Sequence, residues 1–388
     1  MEEINQIDIS LEEPWRRVER ETIFNGYGET GEVVNVRIPL PLSNFKKAMF
    51  TRGRAYHEHS VEISYDCYYV IFRNVNYWNS KTQELSQVTL KIAGKKGVPI
   101  REAKHLSKFD SKHVVKMKAF GYAKIKGDQT PGRDSKIYKF GYLVVENCNQ
   151  GSLGDFLDSR PRLSTKEVFS YFYQICQGLR DIHRAGVRHH DIKPEHILIH
   201  REENSGNLVL KIDGFGFSVD MEFINWVLNV EKEGTLVMVG GKSGYGFGTP
   251  GYFPPELIPS VIKQRINNCK NHVREDQRKE VERVLQTLEF EDIWKDYIDQ
   301  KIKCSAEKAD IFPLGLVLFY LATGKPYNFR IDQDLLDFES AGLDSRLSNV
   351  NLDLKNLIYQ MTHIDFRKRL GSEEVFRYMK NMKLIFGF

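Results

Sequence analysis

Cysteine is scarce in this chain. There are five, Cys67, Cys148, Cys176, Cys269 and Cys304, and no two form a Cys-x-x-Cys pair. An odd, scattered set argues against a disulfide framework or a structural zinc site and points to a reducing compartment. The first residues, Met1-Glu2-Glu3-Ile4-Asn5, are acidic and lack the apolar core of a secretory signal. The longest apolar stretch, residues 311–323, is too short and too interrupted to span a bilayer. The expectation is a soluble, intracellular, cytoplasmic protein with no membrane span. Repeats and low-complexity tracts are missing as well. No excess of one charge is present: 56 Lys and Arg stand against 52 Asp and Glu, a net charge of +4. That balance neither demands nor excludes an acidic partner, and no nucleic-acid partner is expected. Glycine is absent from residues 54–93, so no backbone there can approach a ligand as closely as glycine allows.

The chain of 388 residues is 41% hydrophobic and 28% charged, enough for one large domain or two lobes with a substantial core. Residues 60–145 read as strand-rich. Ile71-Phe72-Arg73-Asn74-Val75-Asn76-Tyr77 alternates like a half-buried strand, and Val88-Thr89-Leu90-Lys91-Ile92 reads as another. Residues 100–109 read as a helix, with Ala103, Leu106 and Phe109 on one face. Tyr142-Leu143-Val144-Val145 is a short buried strand, and Asn149-Gln150-Gly151 punctuates the chain after it. From Thr165 onward helices dominate, with Val168, Phe172, Ile175, Leu179 and Ile182 forming a helical stripe that ends near Gly186.

The stretch His189-His190-Asp191-Ile192-Lys193-Pro194-Glu195-His196-Ile197-Leu198-Ile199 follows that helix. It resembles the catalytic loop of protein kinases, in the wording of the serine/threonine type. Further motifs follow in kinase order. Gly248-Thr249-Pro250-Gly251-Tyr252-Phe253-Pro254-Pro255-Glu256 resembles the end of an activation segment. Asp310-Ile311-Phe312-Pro313-Leu314-Gly315 is similar to the start of the next buried helix, and Asp365-Phe366-Arg367-Lys368-Arg369-Leu370 to a late motif whose Arg pairs with the activation-segment Glu. The resemblance implies an α+β, bilobal kinase-like fold. It would have an N-terminal extension at 1–55, a β-rich lobe at 56–146 and a helical lobe at 147–384, with insertions at 217–247 and 258–305. It also implies roles. Asp191 would take or orient the substrate hydroxyl proton, and Lys193 would neutralise the transferred phosphoryl group. Lys91 would reach the phosphates of ATP with Glu102 as its partner, while Glu146 and Cys148 would offer hinge backbone to the adenine, next to Val145 as gatekeeper. Asp310 would hold the backbone of the catalytic loop, and Glu256 would pair with Arg369.

Three departures from the pattern stand beside these matches. In Lys211-Ile212-Asp213-Gly214-Phe215-Gly216 the position of the metal-binding Asp is Gly214, and Asp213 stands one residue early. The catalytic-loop Asn that would hold a second Mg²⁺ is His196, and imidazole is a poor ligand for that hard ion. The phosphate-binding loop should be glycine-rich, yet the segment reads Ile63-Ser64-Tyr65-Asp66-Cys67-Tyr68-Tyr69-Val70. Gly26-Tyr27-Gly28-Glu29-Thr30-Gly31-Glu32-Val33 has the glycine spacing but lies too far before Lys91, and reads as a simple hairpin turn. Asp213 swinging into the ligand position is the one rescue for Mg²⁺ or Mn²⁺. A metal ligand is worth roughly three decades in phosphoryl-transfer rate. The leading expectation is therefore a pseudokinase or strongly impaired kinase that acts through a protein partner, with ATP as an optional ligand. The alternative is an active, atypical serine/threonine kinase with a protein substrate, using Asp191, Lys193, Lys91 and Asp213. A third idea is a transferase that uses ATP differently. Val281, Val284, Leu285 and Leu288, within 258–305, form a stripe that reads as a partner surface or as an extra packed helix pair.

Overall fold

A computed structural model describes residues 15–18, 21–27, 33–38, 47, 49, 56–58, 61–65, 69–79, 83–93, 97–126, 137–160, 162–220, 249, 251–252, 254, 302–327, 346–363 and 365–388. Two compact units divide the chain. One holds residues 1–107 and 116–147, the other residues 108–115 and 148–388.

The small unit is a twisted antiparallel sheet with one helix. Its strands are β1 (Trp15–Val18), β2 (Glu21–Tyr27), β3 (Val33–Ile38), β4 (Tyr56–Glu58), β5 (Val61–Tyr65), β6 (Tyr69–Asn79), β7 (Glu84–Ala93), β8 (Met117–Lys126) and β9 (Ile137–Glu146). Helix α1 (Gly97–Leu106) lies between β7 and β8 in the chain, a turn earlier than the helix expected at 100–109. The strand order is β1-β2-β8-β9-β7-β6-β5-β4, and β3 pairs with both β2 and β6. β5 covers the first part of β6, while β3 takes Asn76, Tyr77 and Trp78 of the same strand. β2, β3, β6, β7, β9 and β8 thus follow one another around a closed ring, completed where Tyr27 pairs with Tyr122.

Residues 1–55, set apart above as an extension, therefore contribute three strands to the sheet. β2 and β3 pair antiparallel from Thr22 with Ile38 to Tyr27 with Val33, and residues 28–32, which carry most of the motif read as a turn, lie outside the described residues. The alternating side chains explain the ring's filling. Val36, Ile38, Phe72, Val75, Val88, Leu90, Ile92, Tyr142 and Val144 share one buried cluster, the arrangement expected where period-2 patterns face a common core.

The large unit is mainly helical. Its elements are α2 (Leu153–Asp158), α3 (Thr165–Arg184), β10 (Val187–Arg188), β11 (Ile197–Arg201), β12 (Leu208–Ile212), β13 (Val219–Asp220), α4 (Ile302–Thr323), α5 (Leu352–Met361) and α6 (Ser372–Phe386). α3 starts at a capping box, in which Ser164 Oγ accepts from Glu167 N and the Glu167 carboxylate accepts from Ser164 N. Its stripe Val168, Phe172, Ile175, Leu179 and Ile182 is buried, and the chain leaves it through Gly186 at φ +76°. α4 is buried all round from Ala309 to Leu321, as a central helix apolar on every face should be.

Residues 108–115 belong with this unit rather than with the lobe assigned to 56–146. The reason is backbone pairing: Val115 N donates to Ile212 O, and Ile212 N donates to His113 O. α3 passes so close that a Cβ on Gly178 would stand 2.4 Å from His113 O. Most of residues 217–247 and 258–305, including the apolar stripe at 281–288, lies outside the described residues. Among the described residues no helix is long and apolar enough to cross a membrane.

Candidate functional site

The short connection between β10 and β11 carries a dense polar network. It is hung from one carboxylate. Asp310, fully buried at the middle of α4, accepts from His190 N through Oδ1 at 2.7 Å and from His189 N through Oδ2 at 2.8 Å. His183 Nε2 meets the same Oδ2 at 2.8 Å. Burial alone would raise the Asp310 pKa, but the hydrogen bond and charge of His183 pull it well below the usual carboxylate range. The backbone-holding role implied for Asp310 is thus present as geometry. His190 takes φ +61° in this turn.

His189 is fully buried and makes two bonds of opposite sense. Its Nε2 donates to Asp213 O at 2.8 Å, and its Nδ1 accepts from Asp191 N at 3.2 Å. That pattern requires the neutral ring. Burial accordingly pushes its pKa down to about 4. Phe215 packs edge-on against this ring at 4.9 Å and against Phe109 at 5.5 Å, so the apolar part of its motif is kept.

Asp191 points to three neighbours. Its Oδ1 accepts from Thr249 Oγ1 at 2.8 Å, and Lys193 Nζ donates to the same Thr249 oxygen at 2.7 Å. Lys193 Nζ also lies 3.7 Å from Asp191 Oδ2. On the other side His196 Nδ1 donates to Asp191 O at 2.8 Å and lies 3.2 Å from Asp191 Oδ2. Sequence reasoning placed Asp191 and Lys193 together but missed Thr249 as their bridge. Its one signal was its place directly after Gly248 in the activation-segment motif.

The corner expected to bind metal is built differently. Gly214 has φ +86°, and a Cβ there would stand 2.5 Å from His196 Nδ1 and 2.6 Å from His196 Cγ. The imidazole occupies the space into which a side chain at 214 would project. Asp213 is buried, and its backbone is bonded on both sides: its N donates to His196 O at 2.8 Å, and its O accepts from His189. A one-residue shift that brought Asp213 into the ligand position would break both bonds. The residues present therefore do not fit a magnesium ion, which needs several oxygen ligands in near-octahedral array. Among the described residues no group of three or more His, Cys, Asp or Glu could hold a metal.

In the small unit, β7 places Lys91 opposite Ile71 on one side and Leu143 on the other. Lys91 Nζ donates to Glu102 Oε1 of α1 at 2.8 Å, and both side chains are buried. Val145 is fully buried in β9, and the Glu146 carboxylate accepts from Lys116 N at 2.7 Å. Asn147 Oδ1 accepts from Thr89 Oγ1 at 3.1 Å. Cys148, at the start of the large unit's main segment, is buried and forms no disulfide among the described residues. Arg369 is buried, donating to His363 O and Lys308 O. Its expected partner Glu256 lies outside the described residues.

A β-rich unit bearing a buried Lys–Glu pair, and a helical unit bearing this loop, define a kinase-like chain. Residues 78–270 match the family model of the protein kinase domain. Over 240 residues the chain is 23% identical to the serine/threonine-protein kinase atg1 of Dictyostelium discoideum, covering 62% of this chain and 27% of that protein. It is 25% identical over 238 residues to the probable serine/threonine-protein kinase HSL1 of Saccharomyces cerevisiae, covering 61% and 12%. It is 24% identical over 248 residues to the phosphorylase b kinase gamma catalytic chain, liver/testis isoform, of Homo sapiens, covering 62% and 46%. The chain belongs to the protein kinase superfamily and has its α+β fold. It spans less than half the length of each of these curated relatives.

Proposed function

We propose that this chain is a pseudokinase: a kinase-fold protein that acts by binding a protein partner rather than by efficient phosphoryl transfer. The observation that carries the reading is the His196 ring seated over Gly214. Both residues stand where the family places metal ligands, and each substitution leaves room for the other. Metal ions supply much of the charge stabilisation in phosphoryl transfer. Losing both ligands removes several kcal/mol of it, or roughly three decades or more in rate.

An active serine/threonine kinase remains the second reading, favoured by one observation. Asp191 and Lys193 keep a shared network through Thr249. In that reading Asp191 handles the proton of a protein hydroxyl, Lys193 neutralises the phosphoryl group, and Lys91 with Glu102 holds the phosphates of ATP. Glu146 and Cys148 then supply backbone to the adenine.

The test is phosphate transfer from radiolabelled ATP to a generic protein substrate, with Mg²⁺ or Mn²⁺, by the full chain and by Asp191→Ala. The expected result is a background rate equal in both proteins. Turnover that disappears in Asp191→Ala would establish the enzyme and overturn the pseudokinase reading.

A further inference from the structure

Lys91 stands on a sheet face that the small unit occupies with its own side chains. The register puts Tyr69 and Ile71 of β6 on the same side as Lys91 and Ala93 of β7, away from the cluster of Val70, Phe72, Leu90 and Ile92. Tyr69 is 2% exposed there, and its hydroxyl donates to Glu102 Oε2 at 2.9 Å. Lys91 takes the other carboxylate oxygen, Oε1, and its Nζ lies 5.8 Å from the centre of the Tyr69 ring. The phenol and the ammonium thus divide one fully buried carboxylate between them, which suits a group whose burial demands partners on both oxygens. Further along the sheet, Asn147 bonds Thr89 through Oδ1 and Asn74 Oδ1 through Nδ2, the latter at 2.7 Å. No glycine lies between residues 54 and 93, so the chain before Tyr69 has no means of making room by close backbone approach.

We propose that Tyr69 is an internal stand-in for a phosphate ligand at Lys91. It keeps the Lys91–Glu102 pair, and α1 with it, assembled without a nucleotide. Its ring also denies the ammonium to the phosphates of a nucleoside di- or triphosphate. This rests on the pseudokinase reading and deepens it, because a kinase homologue locked in this way needs no nucleotide to present a fixed surface to a partner.

The test titrates ATP, ADP and adenosine, with EDTA present, into the full chain and its Tyr69→Gly and Tyr69→Phe variants by calorimetry. Amide exchange of residues 97–106 is followed in parallel. Tyr69→Gly should bind ATP and ADP at least tenfold tighter than the unaltered chain, with adenosine unchanged. A general loosening of the fold would not produce a gain confined to phosphates. Tyr69→Phe, which loses only the hydroxyl, should exchange its α1 amides at least tenfold faster. Equal ATP affinity in the unaltered chain and Tyr69→Gly, including none in either, overturns the proposal, and so does an equal gain for adenosine. Should Tyr69→Gly fail to fold, unchanged α1 exchange in Tyr69→Phe overturns it instead. Phosphate transfer by the unaltered chain would remove the pseudokinase reading, yet the affinity comparison would still decide the role of Tyr69.

Discussion

Asp310 and Gly214 approach the loop of residues 189–196 from different elements. Asp310 gathers two backbone amides and an imidazole onto one buried carboxylate. Gly214 offers no side chain, and His196 fills the place where one would project. The first arrangement holds the loop's backbone in shape; the second sets an imidazole in the space beside residue 214. The contacts that hold the loop's shape and the contact at Gly214 are therefore made by different residues. Neutral His189 links the two regions, since it hangs from Asp310 by its N–H and donates through its ring to Asp213 O.

The largest expected effect comes from breaking the first region. Asp310→Ala should destabilise the protein by about 4 kcal/mol or more, because it strands buried amide donors and His183. Urea denaturation measures this, and a loss under about 1 kcal/mol would erase the contrast between the two regions. Next in size, Gly214→Asp should cost about 2–4 kcal/mol, from the left-handed backbone and the collision with His196. Adding His196→Asn should recover at least about 1 kcal/mol of that. Strict additivity in the double-mutant cycle would show the two positions to be uncoupled.

A pH experiment sharpens the comparison from the scaffold side. The Glu307 carboxyl is held down to about 2, first by its neighbour His183 and then by Ser372, whose N and Oγ both donate to it. A carboxyl depressed from 4.5 to about 2 contributes its stability in full above pH 4.5 and loses it as the pH falls toward 2. Glu307→Gln should therefore be less stable than the unaltered chain at pH 7, by at most about 3 kcal/mol. The gap should close as denaturation is repeated down to pH 2.5, and a gap independent of pH would contradict the assignment. The smallest effect belongs to Thr249→Val, which removes a bridge between two side chains that keep other neighbours. About 1 kcal/mol is expected, read by the same denaturation.

Local pattern made much of this legible. The stripe from Val168 to Ile182 foretold α3, and Lys91 with Glu102 could be paired because a strand lysine and a following helix glutamate fit one motif. The substitutions at 196 and 214 were equally visible as departures. Their mutual contact was not, since 17 residues lie between them and the antiparallel pairing of β11 with β12 brings the two turns together. Tyr69 was legible only as one of the bulky residues in the segment that lacks a glycine-rich loop. Its hydroxyl bond crosses from β6 to α1, and no periodicity encodes that. The strands at 15–38 were hidden for a related reason: long-range pairing decides whether a hairpin stands alone or joins a sheet.

That pairing has a practical consequence for anyone trimming this protein. The family match begins at residue 78, inside β6, and a fragment cut there would discard the strand that carries Tyr69. A more generous cut at residue 56 would still remove β2 and β3, and with them the neighbours of β8 and of the second half of β6. Two unpaired strand borders would then face solvent beside newly bared apolar side chains, and such borders recruit other chains. The fragment should aggregate more readily than the whole chain when the two are compared by light scattering, because β2 and β3 cover those borders in the folded sheet.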